Sequence, residues 1–121
     1  MTSMQTMLPI MLTEGVSKGR ISIQKMVEVM CRNPAKTHGV YPKKGTIEVG
    51  SDADLVIIDM NNKLKVSHSM LKSPVGYSEY EGWEMIWPLQ VLLRGRVMVK
   101  NNQIVGKPGS SKYVPANKLA S

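Results

Sequence analysis

The two histidines, His38 and His68, are the side chains in this sequence best suited to bind a metal ion or transfer a proton. A metal ion that converts water into hydroxide needs several imidazole and carboxylate ligands that converge on one or two cations. The two histidines are far apart in the sequence, and neither has a neighbour at the spacing His-x-His or i, i+4. We therefore interpret both as exposed or hydrogen-bonded structural residues.

Three aspartates, Asp52, Asp54 and Asp59, lie close enough in the sequence to suggest a carboxylate pair for metal binding or glycoside-type chemistry. Asp52 and Asp54, however, flank Ala53 in a polar turn that precedes an apolar run. Short carboxylates in such turns accept hydrogen bonds from nearby backbone amides. The preferred interpretation is that these aspartates stabilise turns.

The sequence offers no recognisable nucleophile or phosphate-binding loop. Its single cysteine, Cys31, falls on the apolar face of a predicted helix, which favours a small buried side chain over a reactive thiol. The sequence contains no Gly-x-Ser-x-Gly, and Gly15, Gly19 and Gly39 do not form a glycine-rich loop between a strand and a helix. We therefore assign no catalytic, cofactor-binding or metal-binding residue in this chain.

Charge and hydrophobicity argue against several classes of partner. The sequence has 16 Lys and Arg residues against 9 Asp and Glu, which gives a formal charge of +7. The basic residues are scattered, without a long basic run or interleaved aromatics, so we expect solvated surfaces and no nucleic-acid binding. No apolar stretch approaches the roughly 20 residues of a membrane span, and no signal peptide is recognisable. Because one cysteine also cannot form an internal disulfide, the sequence predicts a cytoplasmic protein without membrane contact.

Apolar residues at helical spacing predict two to three helices in the N-terminal third of the chain. Thr6 and Ser22 are the expected N-caps, and Gly15 and Gly39 the expected C-terminal stops, while Pro34 suits the first turn of the third helix. The expected helices span residues 6–15, 22–33 and 34–39.

The stretch from Gly45 to Asp59 predicts two strands joined by a turn. In its first half, Ile47 and Val49 alternate with polar residues, as in a half-buried strand. A Gly-Ser-Asp turn then leads into the uninterrupted apolar run at residues 55–58, which is rich in β-branched side chains. Such a run is typical of a strand that is covered on both faces.

Further alternation predicts strands around residues 64–66, 89–93 and 97–104, with a turn at Asn61-Asn62 and a hairpin turn at Asn101-Asn102. Residues 67–87 are predicted to form a long loop that packs through its aromatic side chains. The predicted fold class is α+β. Its expected parts are a helical part at residues 1–44, an antiparallel β-sandwich part at residues 45–105 and an extended tail at residues 106–121.

Several short motifs occur along the chain in a characteristic order: Asn33-Pro34-Ala35-Lys36, Lys44-Gly45-Thr46-Ile47, Val49-Gly50-Ser51-Asp52-Ala53-Asp54-Leu55-Val56, Tyr80-Glu81-Gly82-Trp83 and Leu93-Arg94-Gly95-Arg96. Together they resemble the last quarter of metal-dependent amidohydrolases, and in particular the dihydropyrimidinase and hydantoinase branch. The resemblance covers nearly the whole sequence. It implies that the helices are the end of a TIM-type barrel and that the β part is an incomplete sandwich.

The same resemblance implies a hydrolase that opens cyclic amides with a pair of divalent metal ions, zinc or another metal. In that family the histidines, carboxylated lysine and aspartate that bind the metals would all lie upstream of Met1, so none of these roles can be transferred to a residue here. We therefore expect this chain to be catalytically inactive by itself and to hold no cofactor.

A non-catalytic role is the alternative, because the branch includes the collapsin response mediator proteins, which keep the fold without the activity and form oligomers. An incomplete sandwich should have at least one bare edge, and the helices should expose an apolar face. We therefore expect a homo-oligomer that forms through an exposed sheet edge, the helix faces or the C-terminal tail.

Overall fold

The computed structural model describes residues 4–117. Within that range the helices come first and the strands follow, so the predicted α+β class is confirmed. Residues 1–3 of the predicted helical part and residues 118–121 of the predicted tail lie outside the described residues. The helical segments are α1 at Met7–Ile10, a π-helical continuation at Met11–Val16, α2 at Ile23–Val27, a second π-helical continuation at Glu28–Arg32 and α3 at Asn33–Thr37.

The first helix runs past its predicted end at Gly15. Gly15 lies inside the π-helical segment, where an added Cβ would stand 3.3 Å from the Ile21 side chain. The glycine at this position therefore allows a close approach and does not end the helix. The chain leaves the helix at Gly19, which has a φ of +69° and whose amide donates to the carbonyl of Val16.

The second helix begins as predicted, because the Ser22 hydroxyl accepts a hydrogen bond from the amide of Lys25 at 3.1 Å. The predicted end near Asn33 is wrong, since the helical path continues through Pro34 to the end of α3. In the preceding π-helical turn, the amide of Asn33 donates to Glu28 five residues back. This wider turn reduces the clash that a proline ring meets in a regular α-helix. Gly39, with a φ of +70°, ends the helix as predicted.

Six short strands form two antiparallel sheets in residues 4–117. They are β1 at Leu55–Ile57, β2 at Lys63–Lys65, β3 at Glu84–Ile86, β4 at Gln90–Leu93, β5 at Arg96–Lys100 and β6 at Gln103–Ile104. One sheet has the order β1-β4-β5-β6, and the other consists of β2 and β3. Val56 lies opposite Val91 in the larger sheet, and Leu64 lies opposite Met85 in the smaller one.

The strand predicted around Ile47 and Val49 is wrong. These side chains are 85% and 109% exposed, and residues 45–54 form turns without a strand partner in the described chain. The following run does form β1, but it is not covered on both faces, since Val56 is 43% exposed. Both errors arise because the sequence shows only which side chains a strand could bury. Whether the strand forms, and which of its faces are covered, depends on neighbouring segments.

The segment predicted to be a loop, residues 67–87, contains β3 and a short 3₁₀ turn at His68–Met70. Its aromatic packing is confirmed, since the rings of Tyr80 and Trp83 meet edge to face with centroids 5.4 Å apart. The indole nitrogen of Trp87 also donates to Asn102 Oδ1 at 3.1 Å. That hydrogen bond connects the end of β3 with the turn between β5 and β6.

The turns predicted at Asn61-Asn62 and Asn101-Asn102 are confirmed. Asn101 and Asn102 have φ values of 50° and 60°, and a further turn between β4 and β5 has φ values of 47° at Arg94 and 80° at Gly95. Positive φ at both central residues matches the right-handed twist of a tight hairpin. At the turn that connects β1 with β2, the amide of Asn62 donates to the carbonyl of Asp59 at 2.9 Å.

Strand β3 joins the two hydrophobic clusters of the structure. Met85 packs with Val66, Leu71 and Trp87, whereas Ile86 packs with Leu12 and Met26. Successive side chains of a strand point to opposite faces, so these two neighbours enter different clusters. The second cluster contains residues from the helices, which makes β3 the contact between the helical part and the sheets.

The tail returns to the helical part. Residues 106–117 form neither helix nor strand, but the side chain of Asn117 donates to the carbonyl of Tyr41 at 2.9 Å. The guanidinium of Arg94 donates to the carbonyl of Ser110. The described part of the tail therefore contacts the rest of the chain through Ser110 and Asn117. None of the helices within residues 4–117 has the length and hydrophobicity that a membrane span needs.

Candidate functional site

The two histidines lie apart from each other and from any cluster of potential ligands. His38 is exposed at the C-terminal end of α3. His68 is half-exposed, its backbone amide donates to Glu81 Oε2 at 2.8 Å, and its Nδ1 lies 3.6 Å from the same oxygen. Among residues 4–117, no three His, Cys, Asp or Glu side chains come together as a metal site requires. The described residues therefore do not fit the metal pair that the resemblance implies, since catalytic zinc takes three protein ligands.

Two of the aspartates form an ion-pair cluster with Lys44. Lys44 Nζ lies 2.8 Å from Asp52 Oδ2 and also contacts Asp54. The other oxygen of Asp54 accepts a hydrogen bond from the backbone amide of Arg94 at 2.9 Å. The cluster thus connects the segment after α3 with the start of β1 and the turn between β4 and β5. The role of the cluster is structural. Its contacts, however, join residues that are farther apart in the sequence than the local turn bonds that the sequence predicted.

The charges in this cluster stabilise one another. The hydrogen bond from Lys44 holds the pKa of Asp52 below its usual value, although partial burial opposes the shift. Partial burial lowers the pKa of Lys44, but the hydrogen bonds to Asp52 and Asp54 together outweigh that effect and raise it. Lys44 is therefore a paired cation and not a free base.

Asp59, in contrast, makes the predicted local contact, since its carboxylate accepts a hydrogen bond from the amide of Asn61 at 2.9 Å.

An open groove of about 820 Å³ runs between the second helix and β1. Its walls are mostly apolar, and its polar residues include the ion-pair cluster and His38. The loop at residues 44–47 also borders the groove. The apolar side chains that contribute to its walls include Met26, Val27, Ala35, Ile47, Leu55 and Val56.

Cys31 lies in this groove and is exposed, so the prediction of a buried cysteine is wrong. The helix has the predicted apolar face, but within residues 4–117 the rest of the chain covers only part of that face. Partial burial in the groove raises the pKa of the Cys31 thiol, which favours the neutral form. A neutral thiol in an apolar groove is a poor nucleophile. The groove therefore combines exposed apolar surface with a thiol whose neutral form is favoured.

Sequence reasoning missed the groove and the role of Lys44. Residues 26–35 supply one wall and residues 44–58 supply the other, and no spacing rule relates these two segments. One signal was present in the sequence, namely the unbroken apolar run at residues 55–58, whose hydrophobicity exceeds what an exposed edge strand requires. In the structure, Val56 and Ile57 of this run are 43% and 45% exposed.

The fold and the groove define an α+β segment with an open apolar groove and, in its described residues, without a group of side chains that could form a hydrolytic metal centre. The family model described as the amidohydrolase family matches residues 1–98. The chain therefore belongs to the amidohydrolase family.

Comparison with individual proteins confirms the resemblance to the hydantoinase and dihydropyrimidinase branch. The chain is 43% identical to the L-hydantoinase of Paenarthrobacter aurescens, with 92% of this chain and 24% of that protein aligned. It is 42% identical to the D-hydantoinase of Geobacillus stearothermophilus, with 93% of this chain and 24% of that protein aligned. The crystal structure of dihydropyrimidinase from Brevibacillus agri superimposes with a TM-score of 0.87 at 37% identity, over 94% of this chain and 25% of that one. The chain thus spans about a quarter of the length of the relatives it matches.

Proposed function

We propose that this chain is the C-terminal part of a metal-dependent cyclic amidohydrolase of the hydantoinase or dihydropyrimidinase type. The identity of more than 40% to two hydantoinases over 24% of their length supports this proposal. In this role the helices are the end of a TIM-type barrel and the two small sheets belong to an adjoining β-sandwich. The reaction is addition of water across a ring C–N bond of a hydantoin or dihydropyrimidine, which yields an N-carbamoyl amino acid.

We further infer that the 121-residue chain is inactive by itself. The observation behind this inference is that residues 4–117 hold no group of three potential metal ligands. An amide carbonyl is a poor electrophile, and water at neutral pH is a poor nucleophile without a metal or an equivalent base. The paired Lys44 and the neutral thiol of Cys31 do not replace such a centre.

The inactivity can be tested with the purified chain, zinc or manganese, and hydantoin or dihydrouracil as substrate. We expect ring opening no faster than the uncatalysed background and no metal retained after gel filtration. The D-hydantoinase of Geobacillus stearothermophilus serves as the active control. Substrate hydrolysis by the purified chain that a chelator abolishes would show that the inference is wrong.

A second experiment tests whether this chain is part of a cyclic amidohydrolase. In a chimera, the 121-residue chain replaces the matching segment of the same D-hydantoinase, which supplies the remaining three quarters of a full-length protein. We expect chelator-sensitive hydrolysis of hydantoin by this chimera. A folded chimera that binds metal but hydrolyses neither hydantoin nor dihydrouracil would contradict the proposed function.

A scaffold role through self-association, as in the collapsin response mediator proteins, is the second candidate. It is favoured by the outer edge of the larger sheet, where Ile104 in β6 is 63% exposed and the neighbouring Val105 is 54% exposed. Exposed apolar edge strands promote association. Sedimentation should then show an oligomer that Ile104→Lys dissociates and Val75→Lys, in a distant loop, does not. A monomer at micromolar concentration would exclude this candidate.

A further inference from the structure

The described end of the tail runs from the larger sheet to the segment that follows α3. It begins with a turn in which Gly109 has a φ of +81° and the Ser110 hydroxyl donates to the carbonyl of Lys107 at 2.6 Å. Beyond this turn, the carbonyl of Ser110 accepts a hydrogen bond from the guanidinium of Arg94. The tail is therefore attached to the turn between β4 and β5.

Further along the tail, Asn117 makes two hydrogen bonds to the segment after α3. Its backbone amide donates to the carbonyl of Gly39 at 2.5 Å, and its side-chain amide donates to the carbonyl of Tyr41 at 2.9 Å. The ring of Tyr41 also contacts the helices, since Arg32 Cζ and Lys36 Nζ lie 5.7 and 5.1 Å from its centroid. This second attachment therefore joins the tail to the helical part.

Gly39 allows the tail to approach closely, in addition to ending α3. A Cβ at Gly39 would lie 3.1 Å from Ala116 Cβ, which is closer than most Cβ contacts. Gly19, where the chain leaves the first helix, has nearly the same φ, +69° against +70°, but a Cβ there would meet nothing within 4 Å. The two glycines therefore share a backbone conformation and differ in the contact with the tail.

Arg94 has a backbone conformation that favours other residue types. Its φ of +47° lies in the left-handed region, where a Cβ causes strain and where Gly, Asn and Asp are preferred. Its amide donates to Asp54 Oδ1 at 2.9 Å, which any residue except proline could do, whereas its guanidinium binds the carbonyl of Ser110. The contact with the tail is therefore the physical reason for an arginine at this turn.

The two attachments lie next to residues of the groove. Gly39 lies between His38 and Val40, which both border the groove, and Arg94 binds Asp54, which borders it as well. A tail that is attached at both points limits how far the segment after α3 and the start of β1 can separate. The tail thus connects two segments of the groove without lining it.

Between its attachments the tail buries little surface. Residues 111–113 and 115–117 are exposed, and Tyr113 is 90% exposed. Docking therefore depends mainly on hydrogen bonds at the two ends, each of which contributes modestly because water replaces it on release. We propose that residues 110–117 form a releasable strap that fastens the segment after α3 to the larger sheet, with Arg94 and Gly39 as its attachment points. Release is a local opening that leaves the helices and sheets folded. The proposal concerns this chain by itself and does not depend on the proposed reaction.

Limited trypsin digestion of the 121-residue chain measures the release, because Lys112 is the single basic residue of the strap. Cleavage after Lys112 follows the fraction of molecules in which the strap is free when docking and release are fast relative to cleavage. Arg94→Asn removes the guanidinium and suits the positive φ. We expect it to accelerate this cleavage about tenfold, as the loss of one hydrogen bond to a charged group implies. The circular dichroism spectrum should stay that of the wild type. Arg96→Gln, which removes the same charge from an exposed position in β5, should leave the rate unchanged.

The second attachment is tested by the two glycines that share a φ angle. Gly39→Ala and Gly19→Ala impose nearly equal backbone strain, but only Gly39→Ala introduces a contact with Ala116. We expect cleavage after Lys112 about tenfold faster in Gly39→Ala and unchanged in Gly19→Ala. Ala116→Gly removes the methyl group that the new side chain meets. Adding Gly39→Ala to Ala116→Gly should therefore cause little further acceleration.

Three outcomes would overturn the strap. The first is a wild-type cleavage rate in both Arg94→Asn and Gly39→Ala, and the second is equal acceleration in Gly39→Ala and Gly19→Ala. The third is cleavage of the wild-type chain after Lys112 as fast as in a synthetic peptide of residues 107–117. Cleavage that slows as the protein concentration rises would identify a second copy as the attachment point, which would also contradict the proposal.

Discussion

The contact between Lys44 and Asp52 should make stability depend on pH in the acid range. Because the Lys44 hydrogen bond lowers the pKa of Asp52 in the folded chain, the folded state favours the charged carboxylate. The contribution is complete above about pH 4, the unfolded pKa, and is lost as the pH falls through the lower folded value. Asp52→Asn should therefore be less stable than the wild type at neutral pH and should lose less stability on acidification.

Urea midpoints measured from about pH 7 to about pH 3 check this prediction, since stability follows the difference in bound protons between the two states. Glu84→Gln is the control, because Glu84 is an exposed carboxylate in β3. Its pH profile should stay parallel to that of the wild type. An Asp52→Asn profile that is also parallel to the wild type would show that the ion pair adds nothing to stability.

At the scale of single residues, local contacts could be predicted and distant ones could not. The caps and turns formed by Ser22 and Asp59 follow from residue type and immediate neighbours. The exposure of Cys31 and the pairing of Lys44 with Asp54 depend on where a second segment lies in space. Periodicity shows that a helix face is apolar but does not show how much of that face is covered.

The junction between the second helix and the following loop requires a glycine at position 45. Gly45 and Gly50 have similar φ values of +87° and +93°, but only at Gly45 would a Cβ lie 2.5 Å from Ala35 Cβ and 2.9 Å from the carbonyl oxygen of Cys31. A Cβ at Gly50 meets nothing within 4 Å. Alanine at position 50 should thus cost about 1–2 kcal/mol for the left-handed backbone alone.

Gly45→Ala adds a steric clash to the same backbone strain, so we expect a loss of roughly 3 kcal/mol or more. Urea unfolding of both variants measures the difference, and Gly50→Ala is the matched control for the φ angle. Equal destabilisation by the two substitutions would mean that the loop does not pack closely on the helix.

At the scale of elements, the predictions succeeded where a segment carries its own stop signals. The glycine at position 39 ends a helix, and Asn101-Asn102 forms a hairpin turn, because both use backbone angles that few residues adopt. β3 was missed because its short sequence, Glu84–Ile86, has too few residues to show alternation. Conversely, the alternation at Ile47 and Val49 did not produce a strand, because no neighbouring strand in the described chain pairs with it.

At the scale of the whole molecule, the family could be predicted from the order of short motifs, and the groove could not. The motifs lie at turns and helix ends. The structure of such segments depends mainly on their own residue types, so they can be recognised in the sequence. The groove arises from the relative placement of residues 26–35 and 44–58, which is a tertiary property. Met26 belongs both to this groove and to the cluster in which Leu12 and Met26 join the helices to Ile86 in β3.

One hydrogen bond at that contact offers a test of how firmly the helices and sheets are joined. Thr13 Oγ1 accepts from the backbone amide of Ile86 at 2.9 Å and donates to the carbonyl of Pro9 at 2.7 Å. Ile86 is 1% exposed, so water cannot replace the hydroxyl. Thr13→Val keeps the shape but leaves a buried amide unsatisfied, which should cost about 1–3 kcal/mol. Thr13→Ser, which keeps the hydroxyl, should lose less, and thermal unfolding followed by circular dichroism would measure both. If Thr13→Val were as stable as the wild type, the helices would be held to β3 by apolar packing alone.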